Sequence, residues 1–135
     1  MDGSRDFEMY LRKLLSYDME ALQPLNESDY PESEMEFARL LNELGSDILE
    51  MKRFACELAD GNLSSVPQAA NPMLDSLKSL HSNLRHITWQ ASQVEGGDYN
   101  QRIDFMGEFS ESFNSMVEKL KVRSEEQRET ERIER

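Results

Sequence analysis

Apolar side chains in this chain recur in alternating steps of four and three through two long segments. Phe37, Leu41, Leu44, Ile48, Met51, Ala55 and Leu58 form the first run, and Met73, Leu77, Leu80, Leu84, Ile87, Ala91 and Val94 the second. Phe109, Phe113, Met116 and Leu120 begin a third. Such alternation keeps one edge of a helix apolar over many turns, whereas a half-buried strand alternates every second residue. It marks the seam of a coiled coil or supercoiled bundle. An amphipathic helix in any globular bundle shows pieces of the pattern; its unbroken run through two segments favours the seam. The expected fold class is all-α, a parallel helical coiled-coil bundle.

Local punctuation predicts the helix ends. Residues 4–17 place Phe7, Tyr10, Leu11, Leu14 and Leu15 on one face. Pro24, Asn26, Pro31 and several acids mark residues 18–32 as a linker. Ser33 with Glu36 has capping-box spacing and predicts the start of a second helix. Asp60-Gly61-Asn62 predicts its end, with Gly61 at a positive φ. Asn71-Pro72 supplies an N-cap and a first-turn proline for a third helix, which Gly96-Gly97 closes. A fourth helix follows from about Met106 to the end. Beyond Leu120 the seam positions Arg123, Gln127 and Thr130 are polar. That tail, with many i,i+4 charge pairs, is expected to be a solvated, frayed end here and a continuing helix in a longer protein.

Charge narrows the partners. Net charge is −12, with ten acids against three bases in residues 1–36. This balance argues against nucleic acid and against an anionic membrane surface, both of which draw on Lys and Arg. No apolar run nears the roughly 20 residues of a membrane span. The single cysteine, Cys56, allows no internal disulfide and suits a reducing compartment. The expected location is cytoplasmic, with membrane association only through a longer protein.

The segments repeat at a shift of 36 residues: Phe37 onto Met73 onto Phe109, Leu41 onto Leu77 onto Phe113, Leu44 onto Leu80 onto Met116, Ile48 onto Leu84 onto Leu120. Gly61-Asn62-Leu63 falls onto Gly97-Asp98-Tyr99 in the same register. Each connector, Gly61 to Met73 and Gly97 to Phe109, advances 12 residues. That length reaches roughly 40 Å extended, against about 24 Å for a helix of about 16 residues. A connector can therefore run back along one helix and start the next at the same end, making neighbours parallel. Leu63, Tyr99 and Ile103 are suited to pinning the connectors down. Two parallel amphipathic helices cannot enclose a core, but two copies can, as a four-helix bundle. The competing architecture is an up-down-up three-helix monomer.

The run Gly97-Asp98-Tyr99, Ile103, Gly107-Glu108-Phe109, Phe113-Asn114-Ser115-Met116, Leu120 resembles the second half of a HAMP domain, the dimeric parallel linker of bacterial sensor kinases, chemoreceptors and diguanylate cyclases. The resemblance covers about residues 78–122, and the repeat extends it back to about 42. Pro67, beside Val66, stands where the first repeat would have its second connector apolar residue. The implied organisation is an acidic N-terminal arm with a short helix (1–32), a first HAMP-like repeat (33–77), a HAMP-like domain (78–122) and a charged tail toward an output domain (123–135). The implied seam is Leu77, Leu80, Leu84, Ile87, Ala91, Val94, Phe109, Phe113, Met116 and Leu120. The implied connector residues are Gly61, Leu63, Gly97, Tyr99, Ile103 and Glu108.

Residues that could carry chemistry are sparse. His81 and His86, five apart, lack the neighbours of a phospho-acceptor and are too few for a metal site. Cys56 reads as a small core or boundary residue with no activating base. Gly96-Gly97-Asp98-Tyr99 superficially resembles a diguanylate cyclase signature, but nothing around it reads as a strand, and no Gly-Lys-Ser/Thr follows for a phosphate loop. Asp104 and Glu108 suit a helix start, seam methionines suit core filling, and Trp89 is expected to pack at a seam flank or against the arm. Ala55, Ala91 and Gly45 are expected to leave room for two packings. No catalytic residue, cofactor or metal is expected. The expected function is a homodimeric signal relay ahead of a covalently linked or associated output domain, as in two-component or cyclic di-GMP signalling; the alternative is a helical scaffold without switching.

Overall fold

The computed structural model describes residues 3–68 and 70–134. Its helices are α1 (Ser4–Leu14), α2 (Glu32–Ala59), α3 (Asp75–Glu95) and α4 (Glu108–Glu134). Short 3-10 turns occupy Met19–Ala21, Glu27–Asp29 and Pro72–Leu74. No strand occurs among the described residues, so the fold is all-α. None of the described helices is long and apolar enough to cross a membrane.

The helix ends follow from backbone chemistry. After α2 the Asn62 amide donates to Glu57 O (2.9 Å) and Gly61 to Leu58 O (3.0 Å), with Gly61 at φ 78°. After α3 the Asp98 amide donates to Gln93 O (2.9 Å) and Gly97 to Val94 O (3.0 Å), with Gly97 at φ 100°. These paired bonds satisfy terminal carbonyls that only a left-handed residue can reach. Asn71 caps the Pro72 turn by accepting from the Met73 amide at 3.0 Å. The expected capping box at Ser33 does not form: Pro31 occupies the N-cap and α2 begins at Glu32. Proline fixes its own φ near the value this entry needs, so the cap moves two residues upstream, from Ser33 to Pro31. The expected fraying of the tail is also absent, since α4 continues to Glu134. Arg132 bonds both Glu129 carboxylate oxygens (2.6 and 2.7 Å), and Thr130 Oγ1 donates to Glu126 O. Such local bonds support an exposed helix without tertiary packing.

The chain divides into two units, 1–77 and 78–135, with the division inside α3. In unit 1, α1 and α2 run parallel. Gly3 N donates to Glu34 Oε2 (2.9 Å), the Phe7 and Phe37 rings lie 5.1 Å apart, and Tyr10 sits over Gly45. Partners on α2 thus advance in the same direction as α1. The intervening chain returns the other way: Glu20 pairs with Arg53 (3.0 Å), Leu25 bonds Asn42, and the Tyr30 ring lies tilted against Phe7 (5.1 Å). Phe7, Tyr10, Tyr30, Ala38 and Leu41 form the core, with Leu22 and Leu25 packed on it. Residues 3–32 are therefore packed on α2 rather than standing free as an arm. Their apolar side chains find a matching face on α2, where the small Ala38 and Gly45 allow close approach. The chain after α2 also turns back, because Asn71 Nδ2 donates to Asp47 O (3.0 Å) and Glu50 Oε1 (3.1 Å).

Unit 2 repeats the arrangement. Its connector runs back along α3: Arg102 O accepts from Gln90 Nε2 (2.9 Å), Phe105 lies 5.5 Å from His86, and Met106 Sδ accepts from Asn83. Along α4 the connector contacts move from Ser110, whose Oγ accepts from Met106 N (2.8 Å), to Asn114 at Ile103. A hollow then brings Gly97 and Asp98 beside Lys121 and Arg128. The connector opposes both helices, so α3 and α4 are parallel. Ile87, Val94, Ile103, Phe113 and Val117 form the core, with Tyr99, Met106 and Leu120 packed against it.

Candidate interaction site

Each unit holds its connector with one asparagine. In unit 2, Asn114 Oδ1 accepts from Ile103 N (2.9 Å) and Asn114 Nδ2 donates to Ile103 O (2.7 Å). In unit 1, Asn42 Oδ1 accepts from Leu25 N (2.8 Å) and Asn42 Nδ2 donates to Leu25 O (2.8 Å). A carboxamide presents one acceptor and two donors, so it can satisfy both backbone groups of an extended residue at once. The connector gains a fixed register, and its apolar side chain is directed at the helix pair: Ile103 is 2% exposed and Leu25 half-buried.

The expected seam is divided by burial. Ile87, Val94 and Phe113 are buried; Leu77, Leu80, Leu84 and Leu120 are half-buried; Ala91, Phe109 and Met116 are exposed. Beside the seam residues Leu41 and Phe113, the other buried positions of these stretches lie one residue after the expected seam, at Ala38 and Gly45 in α2 and Ser110 and Val117 in α4. The 36-residue period persists in this shifted register, since Leu74 and His81 are buried midway between Ala38 and Ser110 and between Gly45 and Val117. The reason is geometric. Within one chain, α3 and α4 meet through the connector, so the positions facing Ile103 are covered first. Phe109 and Met116, 49% and 48% exposed, are left on an open edge. A hollow of about 600 Å³ lined by Met116, Leu120 and polar α4 neighbours lies along it. In unit 1 the equivalent edge carries Phe37, Leu40 and Leu44.

The connector residues fall as follows. Ile103 is buried and Tyr99 and Leu63 half-buried, whereas Gly61 and Gly97 are exposed turn residues. Glu108 is an exposed acid in the first turn of α4, a favourable place beside the positive helix end.

Three expectations are corrected. Cys56 is exposed rather than a core or boundary residue. Trp89 is 55% exposed, with its ring 6.2 Å from His86, and does not fill a seam flank. The space over Gly45 is filled, because a Cβ there would overlap the Tyr10 hydroxyl. Burial pushes the Tyr10 phenol pKa up. Tyr30 is raised by burial and by donating to Asp6 Oδ2 at 3.0 Å.

Sequence reasoning did not single out Asn42, Leu25 or Gln90. A signal for the first exists: Glu36-Phe37, Leu41-Asn42 and Leu44 match Glu108-Phe109, Phe113-Asn114 and Met116 at 72 residues. Gln90 is 5% exposed; its Nε2 is bonded to Arg102 O, and its Oε1 is buried without a partner. No group of three or more metal-ligating side chains converges among the described residues.

No family model, curated protein or solved structure matches the chain. The site is therefore defined by its own geometry: two parallel helix pairs, each with an asparagine-clamped connector on one flank and apolar side chains open on another.

Proposed function

We propose that the chain is a non-catalytic signal relay and dimerisation module of a bacterial sensor protein of the cyclase or histidine-kinase type, HAMP-like in construction. The observation that carries this reading is the parallel α3–α4 pair with Phe109 and Met116 left uncovered. Parallel helices joined by a back-folded connector run in one direction, and α4 continues past the end of α3 to Glu134, so a displacement of the pair can be handed on along α4. A second copy related by a two-fold axis completes a parallel four-helix bundle and removes the open edge from water. Two packings within a few kcal/mol of each other then suffice for a switch. The reading assigns the chain no cofactor, metal or nucleic acid; its partners are a second copy and an output domain.

A scaffold without switching is the second reading. Tyr10 packed over Gly45 favours it, since filled space leaves less room for an alternative packing. Fusion of the chain ahead of a cyclase or kinase catalytic domain separates the two. Insertions of one to four residues after Leu120 rotate the output helix by about 100° per residue. A relay predicts output that rises and falls with insertion phase, and a scaffold predicts indifference.

A further inference from the structure

We infer that residues 3–45 form a second association module whose partner is the same segment of a second copy of this chain; the inference rests on the pairing reading proposed above. Translation by 72 residues carries Glu36, Phe37, Leu41, Asn42 and Leu44 onto Glu108, Phe109, Phe113, Asn114 and Met116. The structure adds what sequence alone lacks. Asn42 and Asn114 make the same two bonds to the backbone of one connector residue, all four between 2.7 and 2.9 Å. Both units are parallel helix pairs, and both bury the residues that match in this translation: Ala38 with Ser110, Leu41 with Phe113, Gly45 with Val117.

The open edge of this module is more apolar than that of unit 2. Phe37 and Leu40 are each 49% exposed and Leu44 37%, while the position matching Leu40 is Ser112. Charges at its border point to a copy of itself as the occupant. Arg39 bonds Glu36, and its Nη1 lies 3.4 Å from Glu43 Oε2, so both carboxylates share a cation within α2. With Arg39 set between Glu36 and Glu43 this border carries a net charge of only −1, so it offers little to a strongly charged partner and repels its own image only weakly. The other flanks of α2 are taken by α1 and by the clamped connector. A two-fold copy presenting the same open edge closes the bundle without exposing a new one.

Cysteine cross-linking in the full chain tests this, with Cys56→Ser to remove the native exposed thiol. In parallel pairing about a two-fold axis, equivalent seam residues meet. Leu44→Cys should therefore form a disulfide-linked dimer under a mild oxidant at least about tenfold faster than Ser46→Cys on the outward face, because pairing raises local concentration. Met116→Cys against Glu118→Cys makes the same comparison in unit 2. Fast linking at both 44 and 116 supports the inference. Fast linking at 116 with 44 no faster than 46 overturns it and leaves the proposed function standing. Slow linking at both overturns both, and fast linking at 44 alone overturns the pairing of unit 2. Circular dichroism of each variant identifies loss of folding; a misfolded Leu44→Cys is replaced by Phe37→Cys under the same criteria.

Discussion

Replacing Asn114 with Ala removes both hydrogen bonds that fasten the connector of unit 2. They run to the amide and carbonyl of Ile103, at 2.9 and 2.7 Å, and Ile103 is 2% exposed. Two intramolecular hydrogen bonds at about 1 kcal/mol net each set a loss of about 2 kcal/mol. An amide and a carbonyl left without partners add to this, and a released Ile103 forfeits at most about 1.5–3 kcal/mol of burial. A loss near 2 kcal/mol lowers the melting temperature of a unit this size by about 8–16 °C. Circular dichroism against temperature and urea measures it, at fixed protein concentration because association makes midpoints concentration-dependent. Asn114→Asp retains an acceptor for Ile103 N but turns a carboxylate toward Ile103 O, so it should cost no less than Ala. Asn42→Ala should produce a matching loss in unit 1 through Leu25. A change within about 0.5 kcal/mol, the range of ordinary surface substitutions, would refute the clamp, above all with the Ile103 amide still protected from exchange.

Gln90→Leu should raise stability by about 1 kcal/mol in urea unfolding, because it removes a buried acceptor without a partner while Arg102 O can turn to water; a loss of stability would contradict this. Gly45→Ala should destabilise by about 1–3 kcal/mol despite the better helix propensity of Ala, since the new methyl meets the Tyr10 hydroxyl. Tyr10→Phe should restore part of that loss, and a neutral Gly45→Ala would show that α1 is not seated there. Hydrogen bonding from Arg39 holds the Glu36 carboxyl below its usual pKa. A depressed folded pKa contributes fully above the unfolded value of about 4.3 and is lost as pH falls through the lower folded one. Arg39→Gln should therefore show a shallower acid loss of stability than the parent below about pH 4.3, and equal slopes would count against the pair.

The helices were legible from short-range rules. Gly61 and Gly97 end their helices as their spacing implies, because only a residue free to turn left-handed closes those caps. The division of the apolar stripe was not legible. A four-three alternation locates Phe109, Phe113 and Met116 on one edge but cannot say that Ile103 covers Phe113 first and leaves the others open. The N-terminal pairing was hidden for a different reason. Leu22, Leu25 and Tyr30 lie among Pro, Asn and acidic residues with no helical period, so the segment reads as a linker. Its order comes from Asn42, 17 residues downstream of Leu25, and from the face of α2. The 36-residue comparison set α2 beside α3, whereas the matching asparagines are 72 residues apart.

The most direct test of the account is the mass of the intact chain in solution, by light scattering at micromolar concentration with helicity followed in parallel. The chain is 15.7 kDa, and closure of the open edges by a second copy predicts a particle of twice that mass which loses helix as dilution separates it. A stable particle of 15.7 kDa, fully helical at every concentration, would contradict the account.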